Sequence, residues 1–321
     1  MKQQAGIGIA LALITAMCWG ALPIAMKQVL EVMEPPTVVF YRFLMAGVGL
    51  GLILGYKRRL PPLQMFRKPR WLILLAIATG GLSGNFILFS SSLQYVSPTA
   101  SQVIGQLSPV GMMIASVFIL KEKMRGTQVI GALLLISGLV MFFNTSLVEI
   151  FTRLTDYTWG VIFGVGAAMV WVSYGVAQKI LLRRLASQQI LFLLYTLCTI
   201  ALLPLAKPGV LFQLSKWQLT CLIFCGLNTL VGYGALAEAM ARWQAAQVSA
   251  LITLTPLFTL LFSDLLSMAW PDVFARPMLN LVGYLGAFVV VAGAMFSAIG
   301  HRLLGRWRSR EVVVTVPRSG E

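Results

Sequence analysis

Long apolar runs of similar length alternate along this 321-residue chain with short polar or charged turns. A helix needs about 20 mostly apolar residues to cross the hydrocarbon core of a bilayer. Ten stretches fit: 7–27, 36–55, 71–91, 97–120, 127–146, 159–180, 188–206, 217–238, 246–268 and 278–300. They are continuously apolar and rich in Leu, Ala and Gly, which predicts helices rather than the alternating segments of a membrane barrel. No polar cleavage region follows 7–27, so the first run reads as a span and not as a removed leader.

The pattern also repeats. Residues 8–30 lie on 160–182 without a gap at an offset of 152: Gly8 falls on Gly160, Trp19 on Trp171, Ala25 on Ala177 and Lys27 on Lys179. Residues 101–110 lie on 248–257 at an offset of 147, bringing Ser108 onto Thr255 and Pro109 onto Pro256. At an offset of 155, Gly131 and Gly138 meet Gly286 and Gly293. Two homologous halves follow, 1–150 and 151–300, with a basic tail over 301–321. Five spans per half start the second half on the opposite side of the membrane. The expected fold is therefore an all-α integral membrane protein with ten transmembrane helices in two inverted five-helix repeats.

Composition agrees: 58% of residues are hydrophobic and 11% charged, against about a quarter charged in soluble domains. The net charge of +15 would fit a nucleic-acid partner, but its distribution has a simpler cause. With the N-terminus in the cytoplasm, 19 of the 25 Lys and Arg fall inside, 5 fall outside, and Arg42 lies within a span. That is the positive-inside skew, so both termini are expected in the cytoplasm of a bacterial inner membrane, with no nucleic-acid partner. The four cysteines, Cys18, Cys198, Cys221 and Cys225, sit in apolar spans without metal-ligand spacing and read as buried free thiols. No metal or cofactor is expected.

Polar side chains at mid-membrane depth need a partner or a cavity. The fourth span carries Ser101, Gln102, Gln106 and Ser108; the ninth carries Ser249, Thr253 and Thr255 at the matching positions. Asn85, Asn228 and Tyr233 add donors and acceptors, and Trp19, Trp171 and Tyr174 add aromatic surface. Together Trp19, Asn85, Gln102, Gln106, Trp171, Tyr174, Asn228, Tyr233 and Thr253 are the candidate lining of a central substrate site. For the tryptophans, a pocket wall and helix packing stand as equal readings. Pro109 and Pro256 each remove a backbone hydrogen bond in mid-span, so they are expected to kink their helices and help shape that site. Three charged residues are candidates for coupling or gating. Arg42 either snorkels or finds a structural partner, or binds a substrate carboxylate. Glu238 either pairs with Arg242 one turn on or carries protons. Glu122 sits in the turn after the fourth span.

The paired Trp19 and Trp171 helices, FYRFLMAG around Arg42, QLSPVGMM, TLTPLFTL and LKEKMRGTQVIGALLLISGLV together resemble the drug/metabolite transporter superfamily in its EamA-type branch. The resemblance covers nearly the whole chain. It implies ten spans in inverted repeats, cytoplasmic termini, and export of amino acids, metabolites or toxic compounds. One departure stands out: Glu122 has Ala269 at the matching place in the second half.

The leading expectation is a secondary transporter, an exporter of a small metabolite such as an amino acid or related amphipathic compound. Its partners are that solute, the lipid bilayer and, as a candidate coupling ion, protons; a homodimer is left open. The alternative is a lipid-translocating or structural helper. An enzyme is disfavoured: the single histidine, His301, lies in the tail, and no H-E-x-x-H, G-x-S-x-G or phosphate-binding loop occurs.

Overall fold

A computed structural model describes residues 5–62, 69–119, 126–275 and 279–314. Among them all regular structure is helical. The first five runs become α1 (Ala5–Val29), α2 (Pro35–Tyr56), α3 (Pro69–Tyr95), the pair α4 (Pro98–Gly105) and α5 (Leu107–Phe118), and α6 (Gly126–Phe142). A short α7 (Leu147–Thr152) leads into α8 (Asp156–Leu181), α9 (Ser187–Leu202) and α10 (Lys216–Arg242). The pair α11 (Ala245–Ile252) and α12 (Thr255–Ala269) and the long α13 (Leu281–Val314) complete the chain. Seven of the described helical segments are long and apolar enough to cross a membrane; α6 and α9 are apolar but shorter.

Helix starts follow local chemistry. Pro35 and Pro36 open α2, where a missing N–H costs nothing. Ser97 caps α4 by accepting from the Ala100 N–H at 3.2 Å. Ser215 and Gln218 form a reciprocal capping box on α10, each side chain bonded to the other's backbone N–H.

The expected kinks fall elsewhere than at the prolines. The fourth run breaks at Gln106 and the ninth at Thr253–Leu254, three residues before Pro109 and Pro256. At both breaks the backbone tightens to bonds three residues back, Gln106 N–H to Val103 O and Leu254 N–H to Leu251 O. The prolines then sit in the first turn of α5 and α12, where helical N–H groups lack partners anyway. Pro256 still deprives the Ile252 carbonyl of its helical donor, and the Thr255 hydroxyl supplies one at 2.6 Å.

First-half helices pack against second-half helices in antiparallel pairs. In the α6–α13 pair, Gly131 lies against Gly293 and Gly138 against Gly286, so closely that an added Cβ would sit 2.4–2.5 Å from backbone nitrogen. Small residues hold such contacts where lipid removes the hydrophobic drive between helices. In α1–α10, Gly8 meets Trp243; in α3–α8, Gly160 meets Val96. These two contacts become one under the offsets of 152 and 147. The α2–α9 pair runs Gly47 past Tyr195 and Gly51 past Phe192. Large exposed side chains such as Leu52, Ile73, Leu133 and Phe288 cover the outside of the bundle, the surface a bilayer solvates.

Candidate functional site

The polar and aromatic residues singled out above divide into three groups. The first meets at the centre. Trp19 on α1 lies against Tyr233 on α10 with ring centroids 5.1 Å apart. Tyr233 meets Tyr195 of α9 edge-on at 6.4 Å, and Tyr195 stacks on Phe43 of α2 at 5.8 Å. Phe43 in turn contacts Phe86 of α3 at 4.7 Å. Trp171 and Tyr174 of α8, 4.7 Å apart, border the same buried cluster. Three helices of the first half and three of the second thus converge on one aromatic centre. Gly232 makes room for it, since a Cβ there would lie 2.6 Å from the Trp19 indole nitrogen.

Arg42 belongs to this centre. It is only 2% exposed, so it does not snorkel to a membrane surface. Its Nε and Nη2 both donate to Thr229 Oγ1 at 3.2 Å. Nη1 points at the Met26 sulfur at 3.3 Å, and the guanidinium lies 4.5 Å over the Phe86 ring. Two polar atoms nearby are buried without a hydrogen-bond partner among the described residues: Tyr195 OH and Asn228 Oδ1.

The second group consists of amides that fasten helices to one another. Asn85 Nδ2 donates to Ala167 O at 2.8 Å, joining α3 to α8. Asn228 Nδ2 donates to Cys18 O, joining α10 to α1. Gln102 Nε2 donates to Trp19 O at 2.9 Å. This last bond has a specific cause. Pro23 lies within α1 and lacks the N–H that would reach the carbonyl four residues back, which is Trp19 O. Gln102 replaces that donor from α4. One N–H of each of these three amides is therefore used in joining helices.

The third group stands at the breaks. Gln106 ends α4, half-buried, and its amide makes no hydrogen bond among the described residues. Thr253, at the matching break, turns its hydroxyl back onto Ala250 O at 2.7 Å. Glu238 pairs with Arg242 one turn along α10, both partly exposed. Glu122 lies outside the described residues. No group of three metal-ligating side chains occurs among the described residues.

Sequence inspection overlooked Phe43, Phe86, Tyr195 and Thr229. Tyr195 carried a usable signal, a hydroxyl at mid-span like that of Tyr233. A cavity of about 450 Å³ lies apart from the centre, between α1, α10 and α12, lined by Ala21, Ile24, Trp217, Cys221, Phe224 and Phe262 among others. None of the candidate residues lines it.

Comparison with known proteins fits this architecture. The chain is 85% identical over 321 residues, all of both chains, to a protein of Escherichia coli K12 named "Uncharacterized inner membrane transporter YhbE". It is 51% identical to a Haemophilus influenzae protein named as a transporter, over 95% of this chain and 98% of that one. An Ancylobacter novellus protein named "Aromatic amino acid exporter YddG" is 26% identical over 50% of this chain and 54% of its own. A crystal structure with 19% identity shares the fold, with a TM-score of 0.61 over 92% of this chain and 98% of that one. The EamA-like transporter family matches twice, over residues 6–144 and 158–299. With both halves matched, the chain belongs to the EamA-like transporter family.

Proposed function

We propose that the protein exports a small metabolite, an amino acid or related amphipathic compound, across a bacterial inner membrane by alternating access. In this reading ten helices span the bilayer. The fourth is α4 with α5, and the ninth is α11 with α12. Residues 1–150 and 151–300 form inverted five-helix repeats, and both termini and the 301–321 tail lie in the cytoplasm.

The observation that carries the reading is the exchange-related packing of the halves. Helices equivalent under the repeat, α6 with α13 and α2 with α9, run antiparallel to each other. The two broken helices interrupt at matching positions, Gln106 and Thr253. Antiparallel mates are what an inverted repeat requires, and discontinuous helices in corresponding places are the usual pointer to a transport site. The aromatic centre then sits where the halves meet. The names of the Escherichia coli and Ancylobacter relatives support the inner membrane and an amino-acid-like solute.

The test is efflux from proteoliposomes holding the purified protein, run with amino acids and related amines. Saturable release of at least one solute is expected; folded protein that releases none sinks the reading. The lateral apolar cavity between α1, α10 and α12 favours a second reading, lipid translocation. Scrambling of labelled lipid without solute release in the same vesicles would select it.

A further inference from the structure

Arg42 is a permanent cation at membrane depth, and its guanidinium has no anionic partner among the described residues. Its guanidinium meets one hydroxyl oxygen, used twice, one thioether sulfur and one benzene ring. No carboxylate lies within ion-pairing distance among the described residues. A buried charge normally has a counter-charge, because desolvation costs more than neutral donors and rings return. An arginine kept in such a place marks a functional site by default. The second half gives no structural reason for it: residues 190–194, which span the corresponding region of α9, are Ile, Leu, Phe, Leu and Leu. Antiparallel packing of α2 on α9 therefore works with apolar side chains in that place.

A second observation points the same way. The Tyr195 hydroxyl is buried and donates to nothing among the described residues, and Tyr195 packs in the same cluster as Phe86, the ring beneath the Arg42 guanidinium. A guanidinium with N–H groups to spare and an unused phenolic O–H are the donor set for a carboxylate. Around them stand the rings of Trp19, Tyr233, Phe43 and Phe86, suited to an apolar or aromatic side chain.

We propose that Arg42, assisted by Tyr195 OH, is the carboxylate-binding group of the transport site, and that the solute carries a carboxylate next to an apolar or aromatic side chain. The proposal rests on the transport reading for its consequence and on binding for its proof. The guanidinium is closed off in this structure, so the anion reaches it when α2 and α10 part in another state of the cycle.

The experiment compares the common amino acids with their carboxamides, which keep the side chain but lose the negative charge. Two readouts are taken on purified protein: thermal stabilisation by ligand and efflux from proteoliposomes. Wild type should be stabilised by one or more acids and not by the matching amides. Arg42→Gln should bind that acid roughly 30-fold more weakly, the loss expected when one partner of a buried charge pair is removed. Arg42→Lys should recover part of the affinity, as a cation without the planar fork. Tyr195→Phe should weaken the acid less and leave the amide unchanged.

Four results overturn the proposal. They are no stabilisation of wild type by any acid, equal stabilisation by acid and amide, unchanged acid affinity in Arg42→Gln, or an Arg42→Lys protein that folds but has lost all acid binding. Stabilisation by an acid that is never released from vesicles upholds Arg42 as the binder and sinks the transport reading instead.

Discussion

The pair of α1 with α4 and its counterpart α8 with α11 are related by the repeat, but the bond that joins the first pair has no equivalent in the second. Pro23 in α1 leaves Trp19 O without a helical donor, and Gln102 of α4 supplies one. At the matching positions stand Gly175, which keeps its N–H, and exposed Ser249, too short to reach a neighbouring helix. The proline and the glutamine are present together and absent together. A second exchange concerns bulk. Gly20 of α1 faces Phe258 of α12, where an added Cβ would lie 2.7 Å from the phenylalanine Cβ. In the other unit Val172 faces Gly111 of α5, with 2.8 Å between the valine methyl and the missing Cβ. Large and small have changed sides, so that each contact keeps one glycine opposite one larger side chain. A third concerns the donor: Thr15 of α1 shares its one hydroxyl hydrogen between Leu11 O of its own helix at 3.0 Å and Gly232 O of α10 at 3.3 Å, whereas Asn85 of α3 gives an amide hydrogen to Ala167 O of α8. Each unit closes the same gap from the opposite helix. The duplication preserves a backbone arrangement and lets each side-chain pair drift as a pair.

The largest effects should come where the halves have not drifted. At the α6–α13 contact, Gly131→Ala and Gly293→Ala each drive a Cβ to about 2.4–2.5 Å from backbone. Backbone cannot give way as a side-chain tip can, so each should cost about 3 kcal/mol or more, the upper range for overpacking. Gly55→Ala and Gly80→Ala, with nothing within 4 Å, should be silent in the same thermal-inactivation assay. Unequal losses in Gly131→Ala and in Gly286→Ala, its equivalent at the offset of 155, would break the symmetry claimed for this interface.

Gly20→Ala comes next, at about 1–3 kcal/mol. Combined with Phe258→Gly, which puts the glycine on the α12 side as Gly111 stands opposite Val172, its cost should fall, giving a favourable coupling of about 1 kcal/mol in a double-mutant cycle. Strict additivity would show that the two positions do not oppose each other.

Gln102→Leu is smaller still. Side-chain hydrogen bonds between membrane helices average about 0.6 kcal/mol and reach about 1.7. The upper end applies here, because Trp19 O has no helical donor of its own. In a Pro23→Ala background the N–H returns and the cost of Gln102→Leu should vanish. Ser249→Leu should cost nothing in either background. A Gln102→Leu penalty that survives Pro23→Ala would separate the glutamine from the proline.

Much of this was legible in the sequence because the bilayer imposes one length and one polarity on every span, so run length alone marked the helices. Pro109 and Pro256 mark the broken helices but not the residues at which they break. A proline's lost hydrogen bond belongs to the residue four earlier, so the helix interrupts one turn ahead of it, at Gln106 and Thr253. An amide at mid-depth such as Asn85, Gln102 or Asn228 looks alike in the sequence whether it faces a cavity or a carbonyl of the next helix. That choice depends on the axial register between helices, which spacing along one chain does not contain. Arg42 was left between the surface and the centre for the same reason: a side chain that long reaches either, and only the neighbours Thr229, Met26 and Phe86 decide it.

Gln106 and Thr253 sharpen the comparison at the smallest cost in stability. Both end the first segment of a broken helix. Thr253 spends its hydroxyl on Ala250 O, while the Gln106 amide is unspent among the described residues. Gln106→Leu should therefore leave folding within about 0.5 kcal/mol of wild type, as for a substitution that breaks no bond, and reduce efflux. Thr253→Val should leave efflux near wild type and cost at most the weak hydroxyl-to-carbonyl bond. Equal efflux losses would make the two breaks equivalent gates. Loss at Gln106 alone would place the working polar group of the site in the first half, on the same side of the duplication as Arg42.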